Sequence, residues 1–146
     1  MKRTQSRKPN YMRILNLLIL LALACITPKK SQMNSYELNG VWIPTKQEMN
    51  GKELPATVYN NHKLTMNDSM YIFGIAQEDK GVTTYSKGKM DIYGKEGINK
   101  GKHFTAIYKL ENGVLTICYN LAGDAYPEAF ETTSKPTLFI SVYKKE

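Results

Sequence analysis

Residues 104–119 read FTAIYKLENGVLTICY, and the fold is decided here. Asn112-Gly113 stands between two runs of β-forming residues. A two-residue Asn-Gly loop is the strongest short-range hairpin signal, because a type I′ turn needs φ > 0 at both central positions. So short a loop also fixes the register. Glu111 faces Val114, Leu110 faces Leu115, Tyr108 faces Ile117, and Ala106 faces Tyr119. The last three pairs, with Phe104, form one continuous apolar face. The other face pairs Lys109 with Thr116 and Ile107 with Cys118, and is mixed. A slip of one residue would scatter the apolar set over both faces, so turn and pattern support each other.

The same alphabet continues on either side. Short apolar runs cover residues 40–43, 63–66, 70–76, 82–87, 89–93 and 137–143, punctuated by Gly, Asn and Asp. No stretch after residue 35 keeps a 3.6-residue apolar period, and the one helical turn expected lies over 55–60. Short β-rich runs separated by turn signals predict a sandwich or barrel. In the last run Leu138, Ile140 and Val142 share one face and Phe139, Ser141 and Tyr143 the other. Both faces are partly apolar, which predicts a strand that is no bare edge.

The N-terminal segment is of another kind. Residues 14–24 (ILNLLILLALA) form an apolar run of 11 behind Lys2, Arg3, Arg7, Lys8 and Arg13. A membrane-spanning helix needs about 20 apolar residues. A shorter run behind a positive segment reads as a cleaved secretory signal over 1–24. Met12-Arg13 followed at once by the run would form a complete short signal by itself. Cys25 follows Leu21-Ala22-Leu23-Ala24, which resembles the lipobox of bacterial lipoproteins, although Leu23 stands where a small residue is commoner. The rival reading is ordinary cleavage after Ala22-x-Ala24, which gives no reason for a Cys at this spot. Under the lipobox reading Cys25 carries acyl chains, each buried CH₂ contributing about 0.8 kcal/mol, and anchors the protein to a membrane. Residues 25–36 are then a tether and 37–146 a single β domain.

This division changes what the charge means. The chain has 146 residues and a formal charge of +7. All three arginines precede residue 25, and the remainder holds 15 Lys against 13 acids, a balance of +2. An arginine-free, nearly neutral domain with dispersed lysines is a poor partner for nucleic acid. Lys29 and Lys30 add only about 1 kcal/mol each of attraction to anionic lipid. If Cys25 is acylated, Cys118 has no intrachain partner and is expected to be buried.

Several segments resemble a known family. Leu38-Asn39-Gly40-Val41-Trp42 and Asn50-Gly51-Lys52-Glu53-Leu54-Pro55, then Met90-Asp91-Ile92, Lys100-Gly101-Lys102 and the hairpin from Ile107 to Tyr119, resemble small exported bacterial domains described as lipocalin-like. Gly40-x-Trp42 also resembles the first strand of lipocalins, in which the Trp packs across the closed end of the barrel. The resemblance spans about residues 38–146. It implies a lipocalin-like antiparallel barrel of about eight short strands and an exported location, but no reaction, because the family carries no agreed activity. Where that family reads Arg-Pro-Thr-x-Phe, this chain has Tyr126-Pro127-Glu128-Ala129-Phe130, so any charge-based role of that position is in doubt.

Catalytic chemistry is hard to assemble. His62 and His103 are the only histidines and neither has a partner at metal-ligand spacing. Cys118 with His103 as base would be a nucleophile pair, but Cys118 is placed mid-strand, as a small buried hydrophobe. Glu78-Asp79-Lys80, Lys52-Glu53 and Lys95-Glu96 read as solvated surface, and residues 94–101 (GKEGINKG) as a lysine-bearing connection lacking phosphate-loop spacing. The expectation is a non-catalytic protein without metal or cofactor. It would be a lipoprotein facing the periplasm, at the outer membrane. Its barrel would hold a small, partly apolar ligand, with Trp42, Tyr71, Phe104, Tyr108, Tyr119 and Tyr126 lining the interior or mouth. The alternative is an envelope interaction module or inhibitor that works through the barrel surface.

Overall fold

The structure is a computed structural model describing residues 35–146. The expected signal over 1–24, Cys25 and the tether up to residue 34 lie outside the described residues. Ser35–Leu38, the end of the expected tether onward, is a 3₁₀ turn.

The hairpin forms as its sequence dictates. Strands β7 (His103–Glu111) and β8 (Val114–Asn120) meet across Asn112 (φ 52°) and Gly113 (φ 76°), the left-handed pair a type I′ turn requires. Its register couples Glu111 with Val114, Leu110 with Leu115, Lys109 with Thr116, Tyr108 with Ile117, Ile107 with Cys118 and Ala106 with Tyr119. Every expected pair is present.

Seven further strands complete the domain: β1 (Gly40–Met49), β2 (Lys52–Glu53), β3 (Lys63–Asn67), β4 (Met70–Gly74), β5 (Asp79–Ser86), β6 (Lys89–Glu96) and β9 (Leu138–Lys145). All pairings are antiparallel, in the order β2-β1-β3-β4-β5-β6-β7-β8-β9, and β1 pairs with β9. Eight strands thus close into an up-and-down barrel, with β2 as a two-residue appendage on β1. The barrel, chosen over the sandwich, is borne out, and so is the central position of the last strand, which pairs on both sides.

The structure differs from the sequence reading in several elements, among them β5, which begins at Asp79 and not at Val82. β1 does not stop at Ile43 but runs through Pro44, where its register against β9 shifts between Pro44 and Lys46. A bulge is one of the places in a sheet that tolerates a residue without an N–H. β2 was not expected at all. It follows Asn50-Gly51 (φ 51° and 73°), the same turn chemistry as residues 112–113, but with too short a run after it to stand out.

The two ends of the barrel are unlike. At one end the turns Asp68-Ser69, Lys87-Gly88 and Asn112-Gly113 have two residues each. The 3₁₀ turn lies there, and its Leu38 carbonyl accepts a hydrogen bond from the Trp42 indole N–H at 2.7 Å. Leu38, Trp42, Tyr108 and Leu115 are buried in the main core. The other end carries the longer connections over 50–62, 75–78, 97–102 and 121–137. The last of these lies along the outer wall. Thr105 donates to the Ala125 carbonyl, and the Thr132 hydroxyl accepts from Gly51 N–H (2.8 Å) and donates to Glu48 (2.7 Å). The mixed outer face of the hairpin contributes to a second small cluster of Ile107, Cys118, Leu138, Ile140 and Val142.

Candidate functional site

Strand alternation sends every second side chain inward. These side chains leave a cavity of about 140 Å³, which runs from Asn99 and Leu121 in the long connections to Met66, Met90 and Tyr143 near the tight turns. Leu64 and Met66 on β3, and Tyr71 and Phe73 on β4, show the period of two along its wall. Six of its lining residues are aromatic: Tyr71, Phe73, Phe104, Tyr119, Phe139 and Tyr143. Gly81 on β5 makes room for one of them, since a β-carbon there would overlap the Tyr71 ring and the Tyr93 carbonyl.

Polar groups meet this apolar surface in two places. On one wall the hydroxyls of Tyr119 and Tyr143 share a hydrogen bond at 3.2 Å, and on β9 beside the cavity Ser141 accepts from Gln47 Nε2 at 3.4 Å. Burial, reinforced by the other hydroxyl, pushes the Tyr119 phenol well up, and burial likewise raises that of Tyr143. On the opposite wall Asp79 accepts from the Tyr71 hydroxyl (3.0 Å), Asn99 Nδ2 (2.9 Å) and Asn99 N–H (3.1 Å). Burial first, and then the bond to Asp79, raises the Tyr71 phenol far above its ordinary value. The Asp79–Asn99 bonds tie the β6–β7 connection down at the mouth.

Of the six residues expected in a ligand site, the structure brings three together: Tyr71, Phe104 and Tyr119 line the cavity. Trp42 and Tyr108 belong to the core but do not line the cavity. Trp42 has Lys145 Nζ 5.4 Å from its ring centroid. Tyr126 lies on the outer wall, where its hydroxyl donates to the Asp91 carboxylate and Lys89 Nζ sits 4.7 Å from its ring centroid. That bond, helped by His103 at 2.8 Å, holds the Asp91 carboxyl below its usual range.

Asp79 and Asn99 were missed. Glu78-Asp79-Lys80 looked like solvated surface, and Glu78 and Lys80 do pair outside at 2.8 Å. Asp79 between them is only 6% exposed. Its signal was periodicity: Asp79, Gly81, Thr83 and Tyr85 alternate, and a strand begun three residues earlier would have turned Asp79 inward. Asn99 comes from the 94–101 connection, and nothing in that segment's composition marks a residue pointing inward.

His103 and Cys118 do not form a catalytic pair. His103 bonds Asp91 and stacks on Tyr93 at 4.6 Å between centroids. Cys118 is fully buried in the outer cluster, and burial pushes its thiol up, which disfavours the reactive thiolate. His62 lies against Phe73 at 5.2 Å. Among the described residues no three His, Cys, Asp or Glu side chains group as metal ligands. No family, curated protein or solved structure matches this chain.

Proposed function

We propose that this chain is a non-catalytic binding protein, lipid-anchored at Cys25, whose barrel takes a small and largely apolar ligand. The observation that carries the reading is the aromatic-lined cavity of about 140 Å³ inside a closed barrel. A barrel of this strand number can fill itself with side chains or hold one small ligand, and this one leaves part of its interior unfilled. The volume sets the ligand's size. Pockets for drug-sized molecules are about 300–1,000 Å³, whereas an apolar cavity of about 150 Å³ admits benzene. A single ring or a short branched group is therefore the size that fits inside, and a longer molecule would project from the open end.

Titration with benzene, followed by amide and side-chain NMR, tests this. Shifts are expected at Tyr71, Phe104 and Tyr119, with the Trp42 indole signal unmoved. An unchanged spectrum at saturating benzene would overturn the ligand reading. The anchor is tested separately: labelling with a palmitate analogue is expected to disappear in Cys25→Ala.

One observation favours the alternative, an interaction module. The connections at the open end expose Val58, Ile75, Ile98 and Leu121, with Ile98 at 84%. Under this reading Ile75→Asp with Ile98→Asp reduces capture of an envelope partner from detergent extracts. A wild-type bait that returns alone removes it.

A further inference from the structure

The cavity contains an electrostatic asymmetry that size and apolarity do not explain. Asp79 is 6% exposed, and its three hydrogen-bond donors, the Tyr71 hydroxyl and two groups of Asn99, are all neutral. Among the described residues no Lys or His pairs with it, and the nearest lysine in sequence, Lys80, is held outside by Glu78. Buried charges in proteins are ordinarily paired or bind a cation, because an isolated carboxylate loses its hydration. An ionised carboxylate offers about four acceptor positions, so one remains beyond the three in use.

The rest of the wall points the same way. Six aromatic side chains border the same space. Their quadrupoles attract cations, and aromatic enclosures are a recurrent means of holding alkylammonium groups. The lining contains no Lys, Arg or His that would repel such a guest.

We propose that the cavity selects a small organic ammonium cation, with Asp79 supplying the opposing charge and the aromatic wall covering the alkyl groups. The proposal rests on the small-ligand reading above and narrows it from an apolar guest to a cationic one of about benzene's volume.

The test holds shape constant and changes charge. Choline, 3,3-dimethylbutan-1-ol and 3,3-dimethylbutyrate share a trimethylated head and differ in being cationic, neutral and anionic. Calorimetric titration of the full chain at pH 7 is expected to give choline at least tenfold tighter binding than the alcohol, and the acid the weakest. Asp79→Asn should bring the choline-to-alcohol ratio to about one. If that variant fails to fold, the order of the three ligands on the wild-type chain still decides. Phosphocholine distinguishes the source: weaker binding than choline indicates a free cation, and equal binding assigns the same cation to a lipid headgroup. An alcohol that matches or exceeds choline overturns the cation proposal and leaves the cavity reading intact. Benzene binding with no binding of the three ligands does the same. Failure of benzene and all three ligands overturns both.

Discussion

The closed and open ends of this barrel are made from the same strands by opposite means. At the closed end, two-residue turns bring neighbouring strands together, and Leu38, Trp42, Tyr108 and Leu115 fill the space between them. At the open end, connections of four or more residues replace those turns, and the side chains beneath stop short of filling the interior. Packing density is what stabilises a core, and a cavity forgoes contacts along its lining. Tight packing and open volume are thus distributed unequally along the barrel. The packed residues at the closed end supply a rigid frame beneath a partly empty interior.

The most direct way to break this comparison is to truncate one aromatic in each half. Trp42→Ala should cost about 3–5 kcal/mol in urea unfolding, the usual range for a large aromatic lost from a packed core. Phe104→Ala should cost only about 1–2 kcal/mol, because Phe104 is partly exposed and already borders empty space. Equal losses would mean that the open half is packed as tightly as the closed one.

Alkaline pH probes the cavity through its tyrosines. The phenols of Tyr119 and Tyr143 are raised in the folded chain, chiefly by burial. Above about pH 10 the unfolded chain loses these protons and the folded chain keeps them. The unfolded state then binds fewer protons, so stability must fall as pH rises. Each tyrosine that is ionised in the unfolded chain and protonated in the folded one takes away about 1.4 kcal/mol per pH unit. Unfolding midpoints at pH 9 and pH 11 check this, and Tyr119→Phe should flatten the slope.

Turn chemistry at the closed end sets a smaller effect. Gly113→Ala places a β-carbon at φ 76° and should cost about 1–2 kcal/mol by thermal or urea unfolding. The open end should hardly register its counterpart. Ile98→Ser removes a side chain that is 84% exposed and should change stability by no more than about 0.5 kcal/mol. A larger loss from Ile98→Ser than from Gly113→Ala would reverse the assignment of frame and mouth.

The sequence was most legible where local rules act alone. Asn112-Gly113 fixed a register that holds at every expected pair, because turn geometry and period-two alternation are properties of adjacent residues. The site was half legible. Tyr71, Phe104 and Tyr119 could be placed on an inward face, but alternation does not say how far along the axis an inward residue lies. Trp42 and Tyr108 face inward too, but are packed in the core away from the cavity. Tyr126 stood in a connection with no alternation to orient it, and its position was set by Asp91, 35 residues away in the chain. Asp79 was read by its charged neighbours, whereas its burial follows from where β5 begins.

From its own pattern the chain was legible as all-β, in its strands apart from β2, in the register of its central hairpin, and as a domain whose charge is nearly balanced once the first 25 residues are set apart. These follow from side-chain period, turn preference and composition, which need no knowledge of distant partners. Only the tertiary structure decided that β1 meets β9 to close the barrel, that part of its interior stays hollow, and that Asp79 borders the hollow. Closure and unfilled volume depend on how eight strands tilt and stagger together, and no single stretch of the chain carries that information.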